Sequence, residues 1–225
     1  MRYNIFYKIH KALRAMLYET GAELQRTDFD NDIQVNAILE KISSLLDLFE
    51  GHAHIEDTLV FPAVEQYEPS VVDAFEKEHL KDHELSQGLR SLIVIFNSLE
   101  TNQEKLQMGS AIRKAFLEFL VFNLEHMAKE EDIVNNLLWR YYSDEQIREI
   151  EQRVIVSQTP ENAAIAAKWM LRGLSNGEIV VWLRAAEKNA PESVFNDLFA
   201  TAQRELPGRR FRQVLEGLTE GAMLA

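Results

Sequence analysis

The chain of 225 residues contains no cysteine. That absence excludes disulfides, thiolate zinc sites, iron–sulfur clusters and cysteine nucleophiles. Any metal it binds must be held by nitrogen and oxygen. Glycine (9) and proline (5) are scarce, so the chain has little of the punctuation that breaks helices. Long apolar runs are missing as well; residues 92–96 form one far too short to span a bilayer. The first seventeen residues carry Arg2, Lys8, Lys11 and Arg14 in an amphipathic pattern, so a secretory signal is not expected. Basic residues (24) are outnumbered by acidic ones (36), a net charge of -12. No nucleic-acid partner is expected of such a chain, because phosphate contacts need clustered Lys and Arg. What is present is 46% hydrophobic residues, enough for a real core. A cytoplasmic protein without a membrane partner is the expectation.

Apolar residues recur at helical spacing almost everywhere. The pattern predicts four long helices, at about 3–26, 32–67, 70–99 and 103–142, the second bent near Pro62. Ser70 with Asp73 reads as a cap pair for the third. Beyond Ser143 come shorter helices, divided by Thr159-Pro160, residues 173–177, Ala190-Pro191 and Pro207-Gly208. No internal repeat stands out. The expected fold is all-α: an up-down-up-down four-helix bundle over 1–142 and a helical extension of unknown role over 143–225. Stretches around Trp139, Trp169 and Trp182 offer apolar faces for docking on the bundle, a protein partner or a second copy.

The inward stripes carry the chemistry. They read Tyr3, Phe6, His10, Leu13, Leu17; then Leu45, Phe49, His52, Glu56, Leu59; then Val72, Phe75, His79, His83, Ser86; then Phe119, Asn123, His126, Glu130, Ile133, Leu137. Five of the six histidines fall where a bundle seam normally places an aliphatic residue. Counting residues from each predicted turn, at about 1.5 Å of rise per residue, brings all the stripes to one depth. His10, His52, Glu56, His79, His83, His126 and Glu130 are therefore expected in one layer of the core.

Two carboxylates in a core are costly as free anions. Divalent metal resolves that cost, and ligands at i and i+4 face one ion from one helix. Seven ligands exceed a tetrahedral zinc site and suit two octahedral-leaning ions. Mixed imidazole and carboxylate donors favour iron, with manganese or zinc behind it.

These residues resemble the hemerythrin-like (HHE cation-binding) family over about residues 3–140. The motifs run in order: His10; His52-x-x-x-Glu56 followed by Leu-Val-Phe-Pro; His79-x-x-x-His83; and His126-x-x-x-Glu130-Glu131. The resemblance implies a non-haem di-iron centre in a four-helix bundle, with the two carboxylates bridging alongside an oxo or hydroxo group. Oxygen-carrying members place the last carboxylate five residues after its histidine, which would be Glu131. The seam spacing favours Glu130 and leaves Glu131 as the alternate.

Other residues read more plainly. His54 is solvated, Asp57 is a surface carboxylate or a partner of a ligand, and Arg209, Arg210 and Arg212 form a solvated helix face. Asn123 either hydrogen-bonds a site residue or is a polar contact between helices. The functional expectation is binding or sensing of dioxygen or a related oxidant, nitric oxide or peroxide. Neutral imidazoles outnumbering carboxylates favour reversible binding. The alternatives are a di-iron peroxidase or nitric-oxide-processing enzyme, and an iron- or redox-responsive regulator acting through the extension.

Overall fold

Side-chain caps explain where most helices of the computed structural model start. Asn31 accepts from the amides of Ile33 and Gln34 and opens the second helix. Thr101 and Glu104 close a reciprocal capping box at the head of the fourth. The third begins at Pro69 behind Glu68 with no side-chain cap, so the expected Ser70–Asp73 pair does not form. Proline's preset φ at the first helical position supplies the start instead. The first helix begins four residues later than its periodicity suggests, at Tyr7. Asn4 takes the amides of Phe6 and Tyr7. Ahead of it, the amide of Tyr3 is held by Asp144 at 3.1 Å.

The structure describes residues 2–222; Met1 and residues 223–225 of the two expected segments lie outside the described ones. Among the described residues there is no strand. Helix α1 is Tyr7–Arg26. Helix α2 runs Asp32–Ile55, passes through a π turn at Glu56–Val60 and resumes as Phe61–Glu65. Helix α3 is Pro69–Phe96. Helix α4 runs Asn102–Lys129, passes a second π turn at Glu130–Val134 and resumes as Asn135–Tyr141. Then follow α5 (Asp144–Ser157), α6 (Pro160–Gly173), α7 (Asn176–Asn189), α8 (Glu192–Glu205) and α9 (Gly208–Ala222). No described helix is long and apolar enough to cross a membrane.

The chain divides into two compact units, 2–7 with 16–157 and 8–15 with 158–222, helix α1 being continuous through both. The first is a helical bundle. At one end its core gathers Phe6, Val60, Phe61, Val134 and Leu138 with Ile147 and Ile150 of α5. The second unit has a core of its own, including Leu171, Ile179, Leu183, Ala202 and Val214. Its four C-terminal helices begin at residues 160, 176, 192 and 208, an even step of 16 that the residue types do not betray. Arg210 is turned inward there, donating to Asn176 at 2.9 Å and to the carbonyl of Leu174 at 2.5 Å, rather than lying on a solvated face.

The bend expected at Pro62 is a π turn just before it. Phe61 donates its amide to the carbonyl of Glu56, five residues back, and Pro62 falls in the first turn of the resumed helix, where a missing N–H is tolerated. The second π turn has the same closure, from Asn135 to the carbonyl of Glu130, without any proline. Each π turn inserts one residue and advances the buried stripe by one. Val134 is buried where Ile133 was expected, Ile133 being 43% exposed, and on α2 Val60 is buried while Leu59 is half-buried.

Candidate metal centre

The sequence stripes bring most of their polar residues together. His10, Glu56, His79, His126 and Glu130 are buried and His52 is half-buried. They fall into two overlapping quartets. One is His10, His52, Glu56 and Glu130; the other is Glu56, His79, His126 and Glu130. Within each quartet the candidate ligand atoms lie within 4.8 Å of one another. Both carboxylates belong to both quartets.

The distances show how the cluster is tied. His52 Nε2 lies 3.1 Å from Glu56 Oε1, and His126 Nε2 lies 3.1 Å from Glu130 Oε1. His79 Nε2 stands between the two carboxylates, 3.4 Å from Glu56 Oε2 and 3.8 Å from Glu130 Oε1. The far nitrogens of two imidazoles are already taken. His79 Nδ1 pairs with Asp57 at 2.7 Å, and His126 Nδ1 pairs with Glu78 at 2.9 Å. A carboxylate on Nδ1 fixes the ring and leaves Nε2 as the ligand atom, the arrangement that orients metal-binding histidines. Glu78 is itself anchored by Lys129 at 2.7 Å.

Charge in the cluster is set by its carboxylates. Burial pulls His79 toward the neutral form, but Asp57, Glu130 and Glu56 outweigh it and hold the imidazole up at about 12. His126 is raised in the same way, burial being overcome by Glu130 and Glu78. Glu78 is lowered: its burial is outweighed by Lys129 and His126. A site that holds protons this firmly holds other cations by the same field, and metal must displace those protons. The donor set therefore fits a divalent ion: imidazole and carboxylate, buried, with no thiolate in the chain.

One expected ligand sits elsewhere, while the alternate Glu131 and the solvated His54 lie outside the cluster as read from the sequence. His83 is outside both quartets; its side chain is 56% exposed and its Nδ1 lies 3.8 Å from Glu50. The reason is seam register. After His79 the buried positions of α3 are Asp82, Ser86 and Leu89, steps of three, four and three, so Asp82 faces inward in place of His83. Glu131 is half-buried and belongs to neither quartet. His54 is exposed.

Two carboxylates beside the cluster escaped the sequence reading. Glu78 reaches His126 from another helix, and no spacing rule in a single chain reports a cross-helix pair. Asp82 was legible, since 75, 79, 82 and 86 alternate by four and three as a bundle seam does. Asn123 turns out to serve it, donating to Asp82 Oδ1 at 2.6 Å. Burial raises Asp82 against that hydrogen bond and the nearby imidazoles. Aromatic rings enclose the imidazoles: Phe61 stacks on His79 at 5.3 Å between centroids and Phe122 on His126 at 6.0 Å.

Known proteins share the sequence of this chain in part. A profile of the hemerythrin HHE cation-binding domain matches residues 1–138. Among curated proteins, the chain is similar to F-box/LRR-repeat protein 5 of Salmo salar, 22% identical over 184 residues. It is also similar to the proteins of that name from Mus musculus, 21% over 185 residues, and Danio rerio, 22% over 177. These matches cover 82%, 82% and 76% of this chain and 25% of each relative. The chain thus spans about a quarter of the length of the curated relatives it matches.

Proposed function

Because the chain belongs to the hemerythrin HHE cation-binding family, we propose that it is a non-haem di-iron protein. In this reading its centre binds or senses dioxygen, or nitric oxide or peroxide, in the core of an up-down-up-down four-helix bundle in the cytoplasm. The observation that carries the reading is the sharing of Glu56 and Glu130 by both quartets. His10, His52, Glu56 and Glu130 would hold one ion, and Glu56, His79, His126 and Glu130 the other. Mixed imidazole and carboxylate donors of this kind would suit iron. When bound, a pair of irons supplies electrons and open positions for a small oxidant. The chain supplies the rest. Asp57 and Glu78 aim the Nε2 atoms, and Phe61, Phe75 and Phe119 keep bulk water away.

As metal ligands imidazoles bring no charge, so four of them beside two shared carboxylates would put little negative charge on the metals. That balance favours the reduced pair and reversible binding over turnover, which ranks sensing above the peroxidase or nitric-oxide-processing alternative. Elemental analysis should find about two irons per chain, and the reduced protein should gain a charge-transfer absorption when air is admitted. A single zinc, or a spectrum indifferent to oxygen, rules the reading out. Sustained consumption of peroxide or nitric oxide would move it to the enzyme class.

A second reading is regulatory, with the centre reporting iron or redox state through the residues after 143. It is favoured by the relatives, in which the matched quarter belongs to a longer protein named for an F-box and leucine-rich repeats. Limited proteolysis after residue 143 should then differ between iron-loaded and iron-stripped protein. Identical cleavage counts against it.

A further inference from the structure

A buried metal centre needs a way in, and one face of the bundle offers a polar path. Between α2 with its π turn and α3 lies a cavity of about 460 Å³. One wall is the stripe Glu50, His54, Asp57; the other carries Glu76, His79 and His83. Four lining residues are carboxylates, Asp82 being the fourth, and none is lysine or arginine.

The cavity is graded from outside to inside. Glu50, His54 and His83 are exposed at its mouth. Arg90 approaches Glu50 Oε2 at 3.4 Å, while Oε1 faces His83 Nδ1 at 3.8 Å. Deeper lies Asp57, 38% exposed at its side chain yet bonded to His79 Nδ1 at 2.7 Å. The inner wall is His79, Asp82 and Ser86, at 8%, 5% and 1% exposure. Ser86 Oγ is buried, lines the cavity and has no hydrogen-bond partner. A hydroxyl left that way in a polar cavity is suited to a water molecule or to the hydration shell of an ion. His79 itself has one edge on the cavity and its Nε2 3.4 Å from Glu56.

We propose that this cavity is the loading port for the metal centre. Glu50, His54 and His83 form a weak, transient divalent-cation site at its mouth, and Asp57 and Asp82 hand the ion inward to His79. The inference rests on the metal-binding reading of the centre. Mixed imidazole and carboxylate donors take first-row divalent ions. An acidic cleft with low-dielectric walls concentrates cations and speeds their capture. Exposed donors release an ion readily, as a port requires and a storage site does not. His83 is thereby assigned a role on the way to the centre instead of within it.

The test is the rate of Co²⁺ uptake by the full metal-free chain, followed by stopped-flow absorption, with Co²⁺ per chain measured at the end point. The variants are Glu50→Gln, His54→Ala, His83→Ala and the triple combination. All three residues are exposed, so the fold should survive. The triple variant should load about ten-fold more slowly, and the wild-type rate should fall with salt more steeply than the variant's. End-point stoichiometry and cobalt spectrum should match wild type. Equal rates in wild type and triple variant overturn the port while leaving the centre intact. Loss of a bound ion or a changed spectrum in His83→Ala also overturns it, by making His83 a ligand of the centre. No Co²⁺ uptake by the wild-type chain would sink the metal-binding reading, and the port with it.

Discussion

Glu56 and Glu130 stand in the same local frame. Each follows a histidine by four residues, each is the first residue of a π turn, and each accepts through its backbone carbonyl the hydrogen bond that closes that turn five residues on. Both are buried, at 2% and 0% exposure, and both belong to each quartet of candidate ligands. The frame is written in the sequence as His-x-x-x-Glu, an acidic residue, one residue, Leu or Ile, then Val, at 52–60 and again at 126–134. π turns are rare and cluster at functional sites. Two of them on paired carboxylates give the centre a local two-fold likeness.

That likeness makes Glu130→Gln informative. A glutamine keeps the shape and removes a charge common to both quartets. Metal content should fall well below the wild-type value, and the thermal stabilisation that added metal confers should vanish. Glu131→Gln should leave both unchanged, since Glu131 lies outside the cluster. If instead Glu131→Gln strips the metal and Glu130→Gln does not, the ligand at the end of α4 has been misplaced by one residue.

The carboxylates behind the imidazoles should matter almost as much. Asp57→Asn and Glu78→Gln retain every candidate ligand but weaken the acceptors that orient His79 and His126. Losing such a partner costs about 10–100-fold in metal affinity. Chelator competition should show that loss with unchanged stoichiometry. Wild-type affinity in both variants would mean that packing alone, through Phe61 and Phe122, positions the rings.

Protons and metal compete for the same atoms. His79 is held at about 12, against an ordinary 6.5, and His126 is raised too. His79 therefore enters neutral solution charged, His126 is shifted the same way, and a protonated imidazole must give up a proton to bind metal through Nε2. Loading at pH 7 should release protons, read with an indicator in weak buffer. The linkage sign for the metal-free chain follows from a folded value above the unfolded one. His79's contribution to stability is complete below about 6.5 and is lost as pH rises toward 12. Denaturation of stripped protein across alkaline pH should show that decline. No proton release on loading would mean that the imidazoles are neutral beforehand.

Much of this was legible in the sequence, for a physical reason. Scarce glycine and proline and unbroken helical spacing leave few alternatives to helices, and histidines at core positions demand partners. The seam logic placed His10, His52, Glu56, His79, His126 and Glu130 at one depth, and the structure gathers those six. It failed where helical register slipped. A one-residue π insertion put Val134 inside instead of Ile133 and set Val60 deeper than Leu59, and no propensity rule marks such a turn. On α3 the wrong choice between steps of three and four put His83 inside instead of Asp82. Pairs such as His126 with Glu78 depend on how helices face one another, which periodicity along a single helix does not report.

A last prediction separates the fold from the site. Gly109 on α4 is buried, and a methyl group added there would meet the ring of Phe29 at 2.4 Å. Phe29 cannot easily yield. It is 2% exposed, packs edge-on against Phe96 at 5.7 Å and has the Arg113 guanidinium 4.8 Å over its face. Overpacking of this kind costs about 1–3 kcal/mol. The gain in helix propensity on replacing glycine with alanine offsets less than about 1 kcal/mol. Gly109→Ala should therefore lower the chemical-denaturation midpoint while metal per chain and metal affinity stay at wild-type values. Unchanged stability would show that Phe29 has room to swing aside. A loss of metal would show that the clash is felt as far as the ligand layer, so that the bundle transmits strain along α4 to His126 and Glu130.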